Sequence, residues 1–330
     1  MANGERSIAN LTREVVNKSF FRYFFRREPV ETKHLLLSRL YPYESLVGSA
    51  IVGLQTSLGT TLWENLAKGL AEKNDFQVLD PKEELLKPNV IPKAAENFIG
   101  EWGRKRDESG KELPLDDFRK AMKKIVKSSD RPKTFKKLGK GSGADLYLVK
   151  NGVKYVFDLK TVQLNAGAGS KFNKTLMEWI TFDLFQNGVF SNLKPMLAIP
   201  YDPTADGDWW QKFGGRVAPL DKNDIKVGNE FWDFISGSHK TLEIITAVFD
   251  EMIKSDFGKH YESFLTDYSL VAKVRHIEYQ YSCSLNSKTS EVADKKTKHK
   301  WSCNRCGSTL TLSMNKIFND DQVCSDSSCR

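Results

Sequence analysis

The 330 residues contain no apolar run long enough to cross a bilayer and only five histidines, scattered singly. A membrane span needs about 20 consecutive apolar residues, so no membrane partner is expected. The opening residues, MANGERSIANL, lack the apolar segment of a secretory signal, and a cytoplasmic location is the expectation. The histidines form no ligand pair and no histidine/asparagine arrangement of the ββα-metal type. There is no P-loop, no dinucleotide-binding Gly-x-Gly-x-x-Gly and no Gly-x-Ser-x-Gly elbow. ATP-driven translocation and nucleotide cofactors are therefore not expected. Cysteine is also scarce: five in all, four of them within the last thirty residues. Such crowding points to a bound metal rather than a disulfide framework.

Basic residues outnumber acidic ones, 50 Lys+Arg against 42 Asp+Glu, for a net charge of +8 and a pI near 9.0. A polyanionic partner suits that balance. A mean hydropathy of −0.47 with 40% hydrophobic residues describes a globular chain with one large α/β domain plus attachments, or two domains.

The stretch with the most chemistry is Gly141–Lys160, GSGADLYLVKNGVKYVFDLK. Two alternating apolar runs flank Asn151-Gly152, a dipeptide suited to a two-residue type I′ turn because both central residues need positive φ. A two-residue loop makes Lys150 face Val153 and sets Asp145 opposite Asp158. Alternation then places Asp145, Tyr147 and Val149 on one face, with Val156, Asp158 and Lys160 on the matching face of the partner strand. Carboxylates opposed at roughly 5 Å repel, and one of them would hold its proton unless compensated. A divalent cation such as Mg2+ resolves the conflict. Lys160 adds an ammonium beside that cation, an arrangement suited to activating water against a phosphodiester. The plainer alternative is a surface hairpin whose acids sit in solvent or pair with lysines.

Around the hairpin, residues 12–27 read as a helix with Phe20, Phe21, Phe24 and Phe25 on its apolar face, ended by Pro29. Tyr41–Leu79 reads as two helices broken near Ser57–Thr60, the second carrying Leu62, Leu66 and Leu70 in one stripe. Glu64 flanks that stripe, either pointing into a cleft as a third acidic ligand or paired with Lys68 at i+4. Residues 80–133 read as a charged insertion holding one amphipathic helix, Leu115–Val126, with Phe118, Met122 and Ile125 facing inward. Lys133, Lys136, Lys137 and Lys140 lead into the hairpin and suit phosphate contact. After Lys160 comes a Gly-rich loop with Gln163, Asn165, Lys171 and Asn173, whose amides suit adenine edges. Asn173 is read as the N-cap of a helix through Gln186, closed by Gly188. Lys194–Tyr201 reads as a buried strand. Trp209 and Trp210 fall in a loop, and NEFWDFISG and HKTLEIITAVFDEMIKSDF read as closing helices.

A hydrophilic connector precedes WSCNRCGSTLTLSMNKIFNDDQVCSDSSC, in which Cys303/Cys306 and Cys324/Cys329 form two pairs with a short strand between them. Four thiolates in two pairs suit tetrahedral Zn2+ in a ribbon too small to fold without it. Cys283 is left as a spare core cysteine. The expected division is 1–285 for the main domain (core about 41–201, insertion about 80–133) and 286–330 for linker and zinc ribbon.

The element order, with Asp145, Asp158 and Lys160 on the hairpin, resembles the PD-(D/E)xK nuclease fold of many type II restriction endonucleases. The resemblance implies an α/β fold with an αβββαβ core, a mixed sheet and flanking helices. It makes Asp145 the first acid, Asp158 the second and Lys160 the lysine, and sets Glu64 where some members carry a helix glutamate. Ala144 stands where others have proline. The runs DLKTVQLNAGAGSKFNKTLMEW and SLVGSAIVGLQTSLGTTLWENLAKGLA are similar to the Tde-type group cutting GGNCC or GGWCC. What this implies is Mg2+-dependent hydrolysis of double-stranded DNA by a homodimer at a palindromic site, leaving 5′-phosphate ends. Asp145 and Asp158, with the Leu159 carbonyl, would hold the Mg2+. A repair or mobile-element nuclease on the same core, and a non-catalytic zinc-ribbon DNA-binding protein, are the rival readings.

Overall fold

The computed structural model describes residues 3–26, 36–108, 113–139, 144–161, 168–202, 222–261, 298–302 and 309–313. Two compact units emerge, Met1–Ser19 with Gln55–Ser255, and Phe20–Leu54 with Asp256–Arg330. In chain order the elements are α1 (Asn3–Arg26), α2 (Leu37–Leu40), α3 (Pro42–Leu58), α4 (Glu64–Lys73), β1 (Gln77–Leu79), α5 (Pro81–Glu84) and β2 (Leu86–Pro88). They continue with α6 (Lys93–Glu108), α7 (Leu115–Ser128), β3 (Phe135–Lys137), β4 (Leu146–Lys150), β5 (Val153–Leu159), α8 (Ala168–Asn187) and β6 (Leu193–Ile199). The last are β7 (Ile225–Val227), α9 (Asn229–Ser236), α10 (Thr241–Lys254), β8 (Lys298–Ser302) and β9 (Thr309–Ser313).

The first unit is built on a five-stranded mixed sheet ordered β1-β4-β5-β6-β7. β1–β4 and β4–β5 pair antiparallel, while β5–β6 and β6–β7 are parallel. Helix α4, three antiparallel strands, helix α8 and parallel β6 follow the expected αβββαβ order, with β7 as an unforeseen fifth strand. The β4–β5 turn is the two-residue bend expected of Asn-Gly, with φ of 51° at Asn151 and 74° at Gly152, and Lys150 faces Val153.

One face of the sheet carries Tyr147 and Val156, which pack with Leu176, Met177, Ile180 and Phe185 of α8 and with Ile99, Phe118 and Met122 of α6 and α7. The stretch from 80 to 133 is thus part of the main core rather than a charged appendage. Its helix α6 was not foreseen. Phe98, Ile99 and Trp102 supply an apolar face hidden in the sequence by Lys, Arg and Glu on the others. Arg106 of α6 is buried at 1% exposure and paired with Asp224, just before β7. The opposite face carries Phe157, whose ring meets Phe231 at 5.6 Å and Phe234 at 6.0 Å in α9.

Between α3 and α4 the helix does not break; Gly59–Trp63 forms a π-turn instead. The Thr61 hydroxyl donates to the Ser57 carbonyl at 2.9 Å, the back-bonding by which threonine bends a helix. Gly69 of α4 lies close to Leu11 of α1: a Cβ there would meet Leu11 Cδ2 at 2.9 Å. The helix α1 starts nine residues before the position expected from sequence (12 − 3 = 9).

In the second unit Phe20 and Phe24 meet Phe257 and Tyr261, the Phe24 and Tyr261 rings stacking at 5.0 Å. Phe21 is 43% exposed, so the aromatic face is narrower than the four phenylalanines suggest. The Tyr23 hydroxyl donates to the Ala50 carbonyl at 2.5 Å, and a Cβ at Gly53 would meet that hydroxyl at 2.5 Å. β8 and β9 pair antiparallel, with Ser302 facing Thr309. Pro29, Trp209, Trp210, Cys283 and the expected boundary at 285 lie outside the described residues.

Candidate active site at the end of the central hairpin

The open end of the hairpin departs from a regular ladder. Pairing follows the expected register from Lys150↔Val153 to Leu146↔Phe157 and stops there. The Asp145 N–H donates at 2.9 Å to the carbonyl of Phe157, the residue already opposite Leu146. Two residues thus oppose one, as in a β-bulge, a device that re-aims a side chain. Asp145 Oδ2 accepts the Leu159 N–H at 2.8 Å, so its carboxylate reaches across to the partner strand.

Asp158 is 3% exposed, and the Asp145 charge acts on its carboxyl. Burial first, with the Asp145 charge adding and the Lys160 ammonium opposing, pushes the Asp158 carboxyl up to about 7. Lys160 Nζ bonds directly to Asp158 Oδ1 and stands 5.8 Å from the Phe172 ring centroid of α8. The Lys160 N–H donates to the Ala198 carbonyl at 2.9 Å, continuing the β5–β6 pairing past the end of β5.

Glu64, the first residue of α4, follows directly on the π-turn. Its side chain is 17% exposed and lies 3.6 Å from Lys68 Nζ. Burial, then the charge of Asp145, raises its carboxyl to about 7 against the opposing pull of Lys68. Glu64 thus pairs with Lys68 at i+4, and its carboxyl feels the charge of Asp145. Among the described residues no three His, Cys, Asp or Glu side chains come together closely enough to cage a metal.

The donor set is therefore two carboxylates, with Glu64 nearby. That composition fits a hard cation which takes one or two carboxylates and completes its shell with water and phosphate oxygens. It does not fit a soft or fully protein-caged metal.

The other expected contact residues are dispersed. Lys137 lies on β3, exposed, and pairs with Glu83. Lys171 is exposed near the start of α8. Asn173 is fully buried, its amide donating to Asp107 Oδ1 at 3.2 Å. It is not the helix N-cap, since α8 begins five residues earlier at Ala168 (173 − 168 = 5), and it cannot reach a base edge without leaving that pair. Lys140, Gln163, Asn165 and the four cysteines Cys303, Cys306, Cys324 and Cys329 lie outside the described residues.

The contacts of Tyr201, which reaches the residue after Lys160, carried no signal in the sequence. The Tyr201 hydroxyl donates to the Thr161 carbonyl at 2.9 Å, and the Trp63 ring lies 5.6 Å from that of Tyr201. These contacts join positions too far apart in the chain for any local pattern to reveal them.

No described helix is long and apolar enough to cross a membrane. A family model described as "Type II restriction endonuclease, HinfI" matches residues 5–253, three quarters of the chain and all five strands of the sheet. The type II restriction enzyme MjaII of Methanocaldococcus jannaschii is 25% identical over 227 residues, which are 64% of this chain and 56% of that enzyme. The chain thus spans little more than half the length of that curated relative. With the family match running unbroken through α4, the hairpin and α8, the chain belongs to the HinfI family of type II restriction endonucleases.

Proposed function

We propose that the protein is a site-specific endonuclease that hydrolyses phosphodiester bonds of double-stranded DNA with Mg2+, leaving 5′-phosphate ends. The observation that carries this reading is the gathering of Asp145, Asp158 and Lys160 at one end of β5, with Asp145 bound to the Leu159 N–H and Lys160 to Asp158. Asp145 and Asp158, helped by the Leu159 carbonyl, would hold the ion, as in the PD-(D/E)xK arrangement. When bound, Mg2+ supplies the positive charge that activates water and steadies the scissile phosphate. Lys160 orients the attacking water and balances the charge that grows on the phosphate. Its pairing with Asp158 keeps that ammonium within reach. Glu64 adds a third carboxylate on the side of α4, and Lys137, Lys140, Gln163, Asn165 and Lys171 are the candidates for DNA contact. A palindromic target calls for two such sites, hence a homodimer in the cytoplasm.

The same proposal covers the C-terminal segment as a four-cysteine zinc ribbon following a main domain of 1–285. In support, β8 and β9 form a hairpin whose six-residue link, 303–308, contains Cys303 and Cys306, the placement of a zinc knuckle. The target GGNCC or GGWCC rests on the likeness of DLKTVQLNAGAGSKFNKTLMEW and SLVGSAIVGLQTSLGTTLWENLAKGLA, since the matching family model bears another name.

Digestion of plasmid DNA with Mg2+, followed by sequencing of the ends, tests the reading. Discrete fragments with 5′-phosphates at one short palindrome are expected. Smearing or structure-dependent nicking would favour a repair or mobile-element nuclease, and tight chelator-resistant binding without cutting a non-catalytic DNA-binding protein.

A further inference from the structure

The ends of β5 and β6 are tied together twice, at both sides of the Lys160–Thr161 peptide. On one side the Lys160 N–H donates to Ala198 at 2.9 Å. On the other, the Thr161 carbonyl accepts the Tyr201 hydroxyl at 2.9 Å. The first tie is the regular parallel rung. The second is a side-chain bond, made two residues past the end of β5.

Tyr201 is itself held from two directions. The preceding carbonyl, of Pro200, accepts the indole N–H of fully buried Trp232 at 2.6 Å. Its ring lies 5.6 Å from Trp63, the last residue of the π-turn, and Trp63 in turn meets Trp232 at 6.0 Å and Phe249 at 6.1 Å. The tyrosine therefore stands on a packed aromatic base and presents one polar atom to the segment that carries Lys160. Gly59, at the start of the same π-turn, approaches that segment too: a Cβ on it would lie 3.9 Å from the Thr161 hydroxyl.

We infer that Tyr201 is a positioning residue for Lys160: its hydroxyl, by holding the Thr161 carbonyl, fixes the backbone from which the Lys160 ammonium reaches Asp158. This inference rests on the nuclease reading above. A lysine side chain has four rotatable bonds, so its ammonium is placed no better than the backbone beneath it. Misplacement of a reacting group by about 1 Å costs about a hundredfold in rate. Tyr201 touches neither substrate nor metal in this account; it acts through the peptide after Lys160.

The test uses the full-length protein and a cleavable DNA duplex, comparing wild type with Tyr201→Phe and Phe249→Leu. Tyr201→Phe keeps the ring on Trp63 and removes only the hydroxyl. It is expected to retain its circular dichroism spectrum and its duplex Kd and KM within about twofold, while kcat falls by about ten- to a hundredfold. Phe249→Leu loosens the same aromatic base without touching the hydroxyl; it is expected to lower Tm yet keep kcat within about twofold of wild type. An unchanged kcat in Tyr201→Phe would overturn the inference. So would an equal fall in kcat for Phe249→Leu, which would assign the effect to packing. If wild type itself leaves the duplex uncut with Mg2+ present, the nuclease reading fails and this inference falls with it.

Discussion

Asp145 Oδ2 accepts the amide proton of Leu159 at 2.8 Å, a bond from a side chain on one strand to the backbone of its neighbour. In a regular antiparallel ladder that amide would seek a backbone carbonyl. Here the ladder has slipped by one at Asp145, and the carboxylate occupies the gap. The acid is thereby fastened beside Asp158. The same bond engages one of the two Asp145 carboxylate oxygens.

Asp158→Asn and Lys160→Ala are expected to bind duplex DNA within a fewfold of wild type and to lose cleavage by about a thousandfold or more, the order seen when a preorganised charge is removed from a transition state. Gel-shift and cleavage assays on the same preparations check this. Full activity in either variant would remove it from the assigned role.

Stability without metal should fall as pH rises. Asp158 and Glu64 both have carboxyls raised to about 7 in the folded protein. The folded state therefore keeps protons that the unfolded chain releases from about pH 4 upward, and the unfolded state binds fewer protons across that window. The stability these groups contribute is then full below about pH 4, falls between about pH 4 and pH 7, and is gone above that. For Asp158 the loss is at most on the order of 4 kcal/mol. Urea unfolding in a chelator at pH 5 and pH 8 measures it, and Asp158→Asn is expected to flatten the difference. A wild-type midpoint independent of pH would contradict the raised carboxyls of Asp158 and Glu64.

The acid limb of kcat/KM should lie near pH 7 at low Mg2+, because the cation and the proton compete for the same pair of oxygens. Raising Mg2+ is expected to move that limb to lower pH. A limb that ignores Mg2+ would separate the pair from the metal.

Glu64→Gln removes the carboxylate that feels Asp145 but keeps the shape of the side chain. A fall in kcat of about tenfold is expected, with a higher Tm at pH 8 from the loss of a buried charge. Unchanged cleavage would leave Glu64 as a helix glutamate paired with Lys68.

One zinc per chain is expected by elemental analysis of the full-length protein, lost in a Cys303→Ser, Cys306→Ser double variant. Absence of zinc from protein prepared without chelators would remove the ribbon from the account.

Much of the site was legible because its geometry is local. Asn151-Gly152 specifies the turn, the turn sets the register, and the register holds from Lys150↔Val153 to Leu146↔Phe157, stopping one pair short of the expected Asp145–Asp158 pairing. Helix α7 and strand β6 were legible for the same reason, through periodic apolar residues. What escaped was either masked or long-range. The apolar face of α6 lies among eight charged residues in sixteen, and β7 is three residues long. The bulge at Asp145 depends on a side chain replacing a backbone partner, which no residue pattern announces. Asn173 reads as a polar loop residue, yet the helix starts earlier and buries it against Asp107. Tyr201 reads as the end of a strand, and its bond to Thr161 exists only once β5 and β6 lie side by side.

The most direct measurement is a time course of plasmid cleavage by wild type and Asp158→Asn, with Mg2+ and with excess chelator. The account predicts discrete fragments from wild type with Mg2+ alone, and intact plasmid in the other three lanes. Fragments from Asp158→Asn at the wild-type rate, or from wild type in chelator, would contradict it.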